Sequence, residues 1–367
     1  MSNPDLFAPL SFGSGRVMQN RFMLAPLTNL QSHPDGTLSD DEFRWLTMRA
    51  VGGFGLTMTC AAHVQRIGQG FPGQLGVFSD DHIPGLTRLA TAIKDAGSLS
   101  MVQLHHAGMR SPAELIGEAP VCPSDNAEFG ARALSEAEVE QLIEDFIAAA
   151  VRAERCGFDG VELHGAHGYV LCQFLSSEIN QRTDRFGGSL ENRARPIREI
   201  IAGVRARCRP DFTLGVRLSP ERFGLKLAEI RDFAQSLMRE GAIDFLDMSL
   251  WDVIKEPEEP EFKGRSLMSW FTELDRGQVR LGVAGKIMTA TRARECLEAG
   301  CDYVLIGRGA ILHHDFPKKV AADADFHSVS VPVTRDYLRQ EGLGQAFLDY
   351  MAGWKGFVAA EEQTEPA

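Results

Sequence analysis

Short apolar runs rich in β-branched residues alternate along the chain with longer runs whose apolar residues recur every three or four positions. This alternation is typical of repeated strand–helix units built around a parallel sheet. The clearest helix is predicted over 136–156, where Ser135 and Glu138 form a capping-box signature and Gly157 follows the last turn. Similar helical patterns occupy 82–97, 189–208, 227–240 and 290–299. The predicted strands cover 22–27, 54–60, 99–104, 159–164, 213–218, 244–249, 280–285 and 302–306.

Eight strand–helix units predict an α/β fold of the TIM (β/α)8 barrel type, occupying residues 1–330 as a single domain. Long segments follow strand 3 (105–134) and strand 6 (250–279) on the C-terminal side of the barrel. Loops on this side build TIM-barrel active sites, so both segments are candidate lids. Residues 331–367 are predicted to be a C-terminal extension whose aromatic residues pack on the barrel or on a partner subunit, with disorder in the last residues.

The charge of the chain narrows the possible ligands. A formal net charge of −12 and a pI near 5.4 argue against a nucleic-acid partner or an anionic membrane surface, because both require clustered lysine and arginine. Neither a signal sequence nor an apolar run of membrane-spanning length is recognisable. We therefore expect a cytoplasmic protein that acts on small molecules. The sequence leaves open whether it forms a homo-oligomer.

Three polar rings are predicted at the end of strand 4, in the stretch ELHGAHGY. Glu162 and His164 point to the same side because alternate residues of a strand share a face. His167 and Tyr169 follow on the loop. Two imidazoles and a phenol can therefore converge on one small ligand at the face where TIM barrels perform chemistry.

Composition and spacing do not decide what these rings bind. The spacing of His164 and His167 suits two metal ligands, which His105, His106 or Glu162 would complete. A TIM-barrel metallohydrolase is therefore one interpretation. Acid–base chemistry on an organic ligand is the other.

A second pair of motifs favours a phosphorylated ligand. The stretches VAGKI and IGRGA follow predicted strands 7 and 8. Gly285 and Gly307 expose backbone N–H groups there, and Lys286 and Arg308 add positive charge, at the place where TIM barrels commonly bind phosphate. Each glycine alone is also typical of an ordinary strand-to-helix turn, so the indication comes from the combination.

The stretch 162–196 resembles the signature of the Old Yellow Enzyme family of FMN-dependent NAD(P)H:flavin oxidoreductases, with HGAHGY, QFLS, NQRTD, GGS and ENR in that order. NRFMLAPLTN at 20–29, MVQLHHAG at 101–108 and GVRLSP at 215–220 resemble the first, third and fifth strands of the family, and GVAGKI and IGRGA the seventh and eighth. Seven cysteines occur in the chain, but none follows Cys301, so the iron–sulfur extension of some relatives is not expected.

The resemblance implies an ene-reductase. NADPH or NADH would reduce the flavin, and flavin N5 would then pass hydride to an activated C=C bond of an enone, with nitro compounds and quinones as further acceptors. His164 and His167 would grip the activating oxygen without any metal, and Tyr169 would protonate the α-carbon. Trp251 is a candidate for closing the substrate pocket. The physiological substrate, the choice of NADH or NADPH, and the roles of Glu162 and of the 250–279 insertion are not fixed by the resemblance.

The resemblance also assigns residues to FMN. Thr28 is expected near the flavin O4 edge and Arg217 near N1, while the turns after strands 7 and 8 hold the phosphate. The full set expected around FMN is Pro26, Leu27, Thr28, Cys60, Gln103, Arg217, Gly285, Lys286, Gly307 and Arg308.

Overall fold

Eight parallel strands form a closed barrel in the computed structural model, which describes residues 5–360. Each strand pairs with the next one in the chain, and strand 8 closes the barrel on strand 1, with Leu305 opposite Met23. The TIM barrel and all eight predicted strands are thus confirmed. Strands 1 to 8 are Phe22–Leu24, Leu56–His63, Leu99–His105, Gly160–Gly165, Thr213–Leu218, Phe245–Ser249, Arg280–Ala284 and Tyr303–Ile306.

Two strand boundaries differ from the sequence pattern for local reasons. Strand 1 ends early because Pro26 lacks the N–H that continued pairing requires. Strand 2 extends to His63, and its register against strand 3 shifts between Met58 and Ala61. This β-bulge changes which side chains of strand 2 face the barrel interior.

Helices surround the barrel. Those predicted from the sequence are confirmed, and the capping box of Ser135 and Glu138 has both of its hydrogen bonds. The helix after strand 1, which the pattern did not reveal, is capped by Ser39, whose side chain accepts a hydrogen bond from the Glu42 N–H at 3.1 Å. Helices α1 to α13 are Asp40–Val51, Ile83–Asp95, Ala113–Ile116, Glu136–Arg155, Val170–Leu175, Leu190–Arg207, Leu227–Glu240, Ser269–Thr272, Ala290–Glu298, Arg308–Leu312, Phe316–Ala322, Arg335–Gln340 and Gln345–Ala352.

The N-terminal end of the barrel is filled with side chains. A hairpin that pairs Leu10–Ser11 with Val17–Met18 lies across this end, and its apolar residues join a buried cluster with the barrel interior. Phe12 and Phe245 of strand 6, for example, have ring centroids 5.6 Å apart. Ligand access is consequently at the opposite, C-terminal end of the strands.

The C-terminal segment folds back onto the barrel of its own chain. The ring of Phe347 in α13 packs edge-on against Trp45 of α1 with centroids 4.9 Å apart, and the Gly344 N–H donates to Gln31 Oε1 at 2.8 Å. Residues 361–367, and with them the predicted disorder, lie outside the described residues. Contact with a partner subunit stays a prediction, as does the division into 1–330 and 331–367. No helix within 5–360 combines the length and the apolar composition that crossing a membrane requires.

Candidate active site

A cavity of about 500 Å³ opens at the C-terminal mouth of the barrel. Residues from strands 2, 3, 4 and 5 form its inner wall, and loops and the C-terminal segment form its rim. Of the residues predicted from the sequence, those that line it are Pro26, Leu27, Thr28, Gln103, His164, His167, Tyr169, Arg217 and Trp251.

The three polar rings of the HGAHGY stretch converge in this cavity. His164 ends strand 4 on its inner side, and His167 follows in a left-handed turn with φ of 62°. The Nδ1 of His167 lies 3.3 Å from His164 Nε2, and its Nε2 lies 2.8 Å from the Ser249 hydroxyl. The Tyr169 ring centroid is 5.1 Å from that of His164 and 6.5 Å from that of His167.

The surroundings fix the protonation of these rings. Burial lowers the pKa of His164 well below its ordinary value, and burial together with the charges of Arg217 and Arg110 lowers the pKa of His167 to about 3. Both imidazoles are therefore neutral near pH 7. Burial raises the pKa of Tyr169, although the positive charge of Arg110 opposes this shift, so the phenol keeps its proton.

A buried charge cluster lies beneath the rings. Arg217 Nε is 3.0 Å from Asp247 Oδ2, and Gln103 Nε2 donates to Glu162 Oε1 at 2.7 Å. Burial raises the pKa of both carboxyl groups, the charge of Asp247 raises that of Glu162 further, and Arg217 opposes both shifts. Arg217 thus forms its ion pair with Asp247. Glu162 instead accepts the hydrogen bond from Gln103 and interacts with Arg217 only by longer-range electrostatics.

The geometry does not assemble a metal site around the histidine pair. His105 Nδ1 is 3.0 Å from the Gln74 amide, and His106 Nδ1 accepts the Gly108 N–H at 2.9 Å. Within 5–360 the one group of three converging ligand side chains is His314, Asp315 and Glu341, and none of them lines the cavity.

The side chain of Cys60 does not face the cavity. Its thiol donates to Glu42 Oε1 at 2.9 Å, and the next residue, Ala61, lines the cavity instead. The resemblance placed Cys60 beside FMN, but the register shift of strand 2 between Met58 and Ala61 lies next to this residue, and Ala61 takes the position at the cavity.

The predicted phosphate residues lie together at the ends of strands 7 and 8, outside the cavity lining. Lys286 Nζ is 3.0 Å from Asp252 Oδ2, and the exposed Arg308 guanidinium lies 5.7 Å from the Trp354 ring centroid. Gly285 has φ of 157°, which is extended backbone reachable by glycine with little strain. At Gly307 a Cβ would meet only the side chains of Leu27 and Ala25, at 3.7 and 3.9 Å. The space next to the Gly307 backbone is therefore not filled by side chains of the described residues.

Comparison with known proteins decides the family. The model of the NADH:flavin oxidoreductase / NADH oxidase family matches residues 5–325. The chain belongs to the Old Yellow Enzyme family. It is an FMN-dependent oxidoreductase that takes electrons from NADH or NADPH, and the metallohydrolase interpretation is wrong.

Relatives of full length support this assignment. The chain is 38% identical over 363 residues to the probable NADH-dependent flavin oxidoreductase YqiG of Bacillus subtilis, covering 95% of this chain and 97% of that protein. It is 32% identical over 326 residues to an NADPH dehydrogenase of Bacillus licheniformis, covering 88% and 95%. The solved Old Yellow Enzyme homologue from Zymomonas mobilis superposes with a TM-score of 0.79 at 27% identity, covering 95% and 99%.

Several residues of this Old Yellow Enzyme cavity were not predicted. Arg222 and Phe223 adopt positive φ in the loop after strand 5, for which the sequence gives no signal. Tyr350 and Trp354 reach the cavity from the C-terminal segment, and their spacing of four residues was the available indication of a shared face. The remaining unpredicted residues in the lining are Ala61, Arg110, Ile311 and Met351.

Proposed function

We propose that this flavoenzyme reduces activated C=C bonds, above all those of enones, with nitro compounds and quinones as further acceptors. In the net reaction NAD(P)H and one proton convert C=C into CH–CH and release NAD(P)⁺. The observation that carries the proposal is the convergence of two neutral imidazoles and one protonated phenol in a single cavity.

The cavity fits FMN in size and in the character of its walls. Its volume of about 500 Å³ lies within the range of ligand pockets. Pro26, Leu27, Thr28, Gln103 and Arg217 would hold the ring system, and the room at Gly307 suits the phosphate, with Gly285, Lys286 and Arg308 beside it. When bound, FMN supplies the hydride carrier between nicotinamide and alkene.

The histidine pair would bind the oxygen that activates the alkene. Its contact of 3.3 Å is longer than a usual N–H hydrogen bond, so a carbonyl oxygen can replace it with two shorter bonds. Neutral imidazoles donating N–H to this oxygen stabilise the negative charge that develops on it, and a donor of this kind contributes about 10²–10³ in rate.

Tyr169 would deliver the proton to carbon. Its ring is fixed between His105, whose centroid is 4.4 Å away, and the Arg110 guanidinium, which is 4.7 Å away. Because burial keeps the hydroxyl protonated, the donor form is present throughout the physiological pH range.

The test uses purified protein reconstituted with FMN under anaerobic conditions. NADH or NADPH should bleach the flavin absorbance, and 2-cyclohexenone should restore it while cyclohexanone is formed. A chelator should leave both steps unchanged. Reoxidation by oxygen but by no enone, nitro compound or quinone would contradict the proposal.

A further inference from the structure

The active-site cavity carries positive charge in an otherwise acidic protein. Arg110, Arg217 and Arg222 line it, whereas none of the lining residues within 5–360 is Asp or Glu. The chain as a whole has a formal net charge of −12. Cationic walls in an anionic molecule concentrate anionic ligands at this one place.

The three arginines differ in whether their charge is already paired. Arg217 lies 3.0 Å from Asp247, and Arg222 lies 2.9 Å from Glu258. No carboxylate among the described residues lies within ion-pair distance of Arg110. Among the described residues, its guanidinium donates one hydrogen bond, from Nη1 to the His167 backbone oxygen at 2.5 Å. A guanidinium has five N–H donors, so most of those on Arg110 are left for a ligand.

The backbone that presents Arg110 is fixed to the catalytic loop. Gly108, two residues earlier, has φ of 61°, and a Cβ there would overlap the Gln173 carboxamide. Gln173 is fully buried and accepts the Met109 N–H at 3.2 Å while donating to the Gly168 oxygen at 2.8 Å. The loop of Arg110 and the loop of His167 and Tyr169 are thus tied through one amide.

We propose that Arg110 is a specificity-determining residue that selects unsaturated carbonyl substrates bearing a carboxylate, such as unsaturated oxo acids. The carbonyl oxygen binds at the histidine pair and the carboxylate binds the guanidinium of Arg110. A planar guanidinium suits a carboxylate because two parallel N–H bonds can form. This inference rests on the proposed enone reduction.

The position of Arg110 explains how one residue acts on selectivity. Its bond to the His167 backbone places the guanidinium beside the site of the activating oxygen, and its contact with the Tyr169 ring places it beside the proton donor. A carboxylate bound to Arg110 therefore orients the alkene between the site of the activating oxygen and the Tyr169 hydroxyl. Arg222 lies over the Trp251 ring at 5.2 Å with its charge paired, and so contributes less to binding an anion.

The test compares one acid with its uncharged ester. Reduced holoenzyme is mixed with (E)-4-oxopent-2-enoate or with the methyl ester, and flavin reoxidation is followed by stopped flow. The acid and the ester differ in intrinsic reactivity, but this difference is the same for every variant, so the change of their rate-constant ratio between wild type and variant isolates recognition of the carboxylate. Arg110→Met should lower the acid-to-ester ratio by roughly 10- to 100-fold, the usual effect of losing a charge-assisted hydrogen bond. Arg110→Lys should retain part of the preference.

Arg44→Met provides the matched control, because it removes the same charge from the exposed face of α1. It should change the ratio by less than about twofold, since Arg44 does not line the cavity and an exposed charge is screened by salt. Thermal unfolding and the flavin spectrum verify that each variant is folded and loaded.

The outcomes separate the two proposals. An unchanged ratio in Arg110→Met with ester reduction intact overturns the inference and leaves enone reduction standing. Equal losses for acid and ester show that Arg110 acts only through Tyr169 and also overturn it. If Arg110→Met slows reduction of the flavin by NAD(P)H and leaves the acid-to-ester ratio unchanged, then Arg110 binds a phosphate group of the coenzyme, which again overturns the inference. Failure of the wild-type protein with both substrates and with 2-cyclohexenone refutes the proposed function itself.

Discussion

Replacing Tyr169 by phenylalanine separates proton donation from every other role of the cavity. The substitution keeps the ring and its contacts with His105 and Arg110. The hydroxyl makes no hydrogen bond to any residue within 5–360, so its loss leaves no buried partner unpaired and should change the free energy of unfolding by less than about 1 kcal/mol. The effect on rate should therefore report chemistry.

The expected size of that effect follows from general-acid catalysis. A positioned proton donor contributes about 10²–10⁴ in rate, so reoxidation of the reduced flavin by 2-cyclohexenone should slow by this factor in Tyr169→Phe. Reduction of the flavin by NAD(P)H requires no proton from Tyr169 and should proceed at nearly the wild-type rate. Quinones accept electrons onto oxygen and can take protons from water, so their reduction should be spared.

Stopped-flow measurement of both half-reactions with an enone and a quinone provides the assay. In the wild-type enzyme the rate of flavin reoxidation by the enone should show no loss from Tyr169 deprotonation as the pH is raised to about 10, because burial raises the pKa of Tyr169 above the ordinary tyrosine value. A variant equally slow with enone and quinone, or slow in flavin reduction, would show that Tyr169 shapes the cavity and does not give the proton.

Three further predictions concern ligand contacts and acid stability. His164→Ala should weaken the long-wavelength charge-transfer band that a phenolate gives when it binds over the oxidised flavin; an undiminished band would remove His164 from the ligand contacts. Arg308→Ala should weaken FMN binding by roughly 10- to 100-fold and leave riboflavin binding nearly unchanged, and equal losses in a titration of the apoprotein would mean that Arg308 supports the fold. Burial lowers the pKa of His63 to about 4 and those of His106 and His167 to about 3, so the unfolded chain binds protons below pH 6.5 that the folded chain does not. The histidine contribution to the free energy of unfolding of the apoprotein is thus largest above pH 6.5 and is lost on acidification, by about 1.4 kcal/mol per pH unit for each of these histidines. Glu162 and Asp247, whose pKa values burial raises to about 8 and about 6, contribute the opposite slope, so the test compares urea unfolding of the wild type with that of His63→Gln between pH 7 and 4.5. A difference between the two proteins that is independent of pH would refute the assignment for His63.

The barrel was predictable because each strand is a short apolar run followed by a recognisable helix or turn. Helix α1 is the longest of the helices within 5–360 that the pattern did not reveal, and its burial pattern explains why. Glu42 and Arg49 are fully buried on the core side of α1, so two charged residues occupy positions that the periodicity requires to be apolar. Buried partners compensate them: Asn29 donates to Glu42 at 3.1 Å, and Arg49 donates to the Ala310 oxygen at 2.9 Å.

The inner wall of the site was predictable for a different reason than its rim. His164 and Arg217 occupy barrel strands, where alternation and strand order determine the direction of a side chain. The positions of Arg110 and Phe223 depend on loop conformations that contacts with other loops impose. The position of Tyr350 depends on helix α13, which packs against helix α1, about three hundred residues earlier in the sequence. Such contacts leave no periodic trace in one sequence.

Part of the cavity rim comes from the C-terminal segment and not from the barrel, so substrate contacts can change there without changing the sheet. Tyr350 and Met351 of α13, with Trp354 just beyond it, line the cavity, whereas the barrel strands pair with one another and not with this segment. Random libraries confined to the codons of the half-buried Tyr350 and Trp354 should therefore shift which alkenes are accepted while the colour and melting temperature of the holoenzyme change little, whereas the fully buried Met351 is left unchanged to preserve the core. Because both codons fall within the short stretch 350–354, one cassette exchanged between homologues would transplant this part of the pocket without changing any barrel strand.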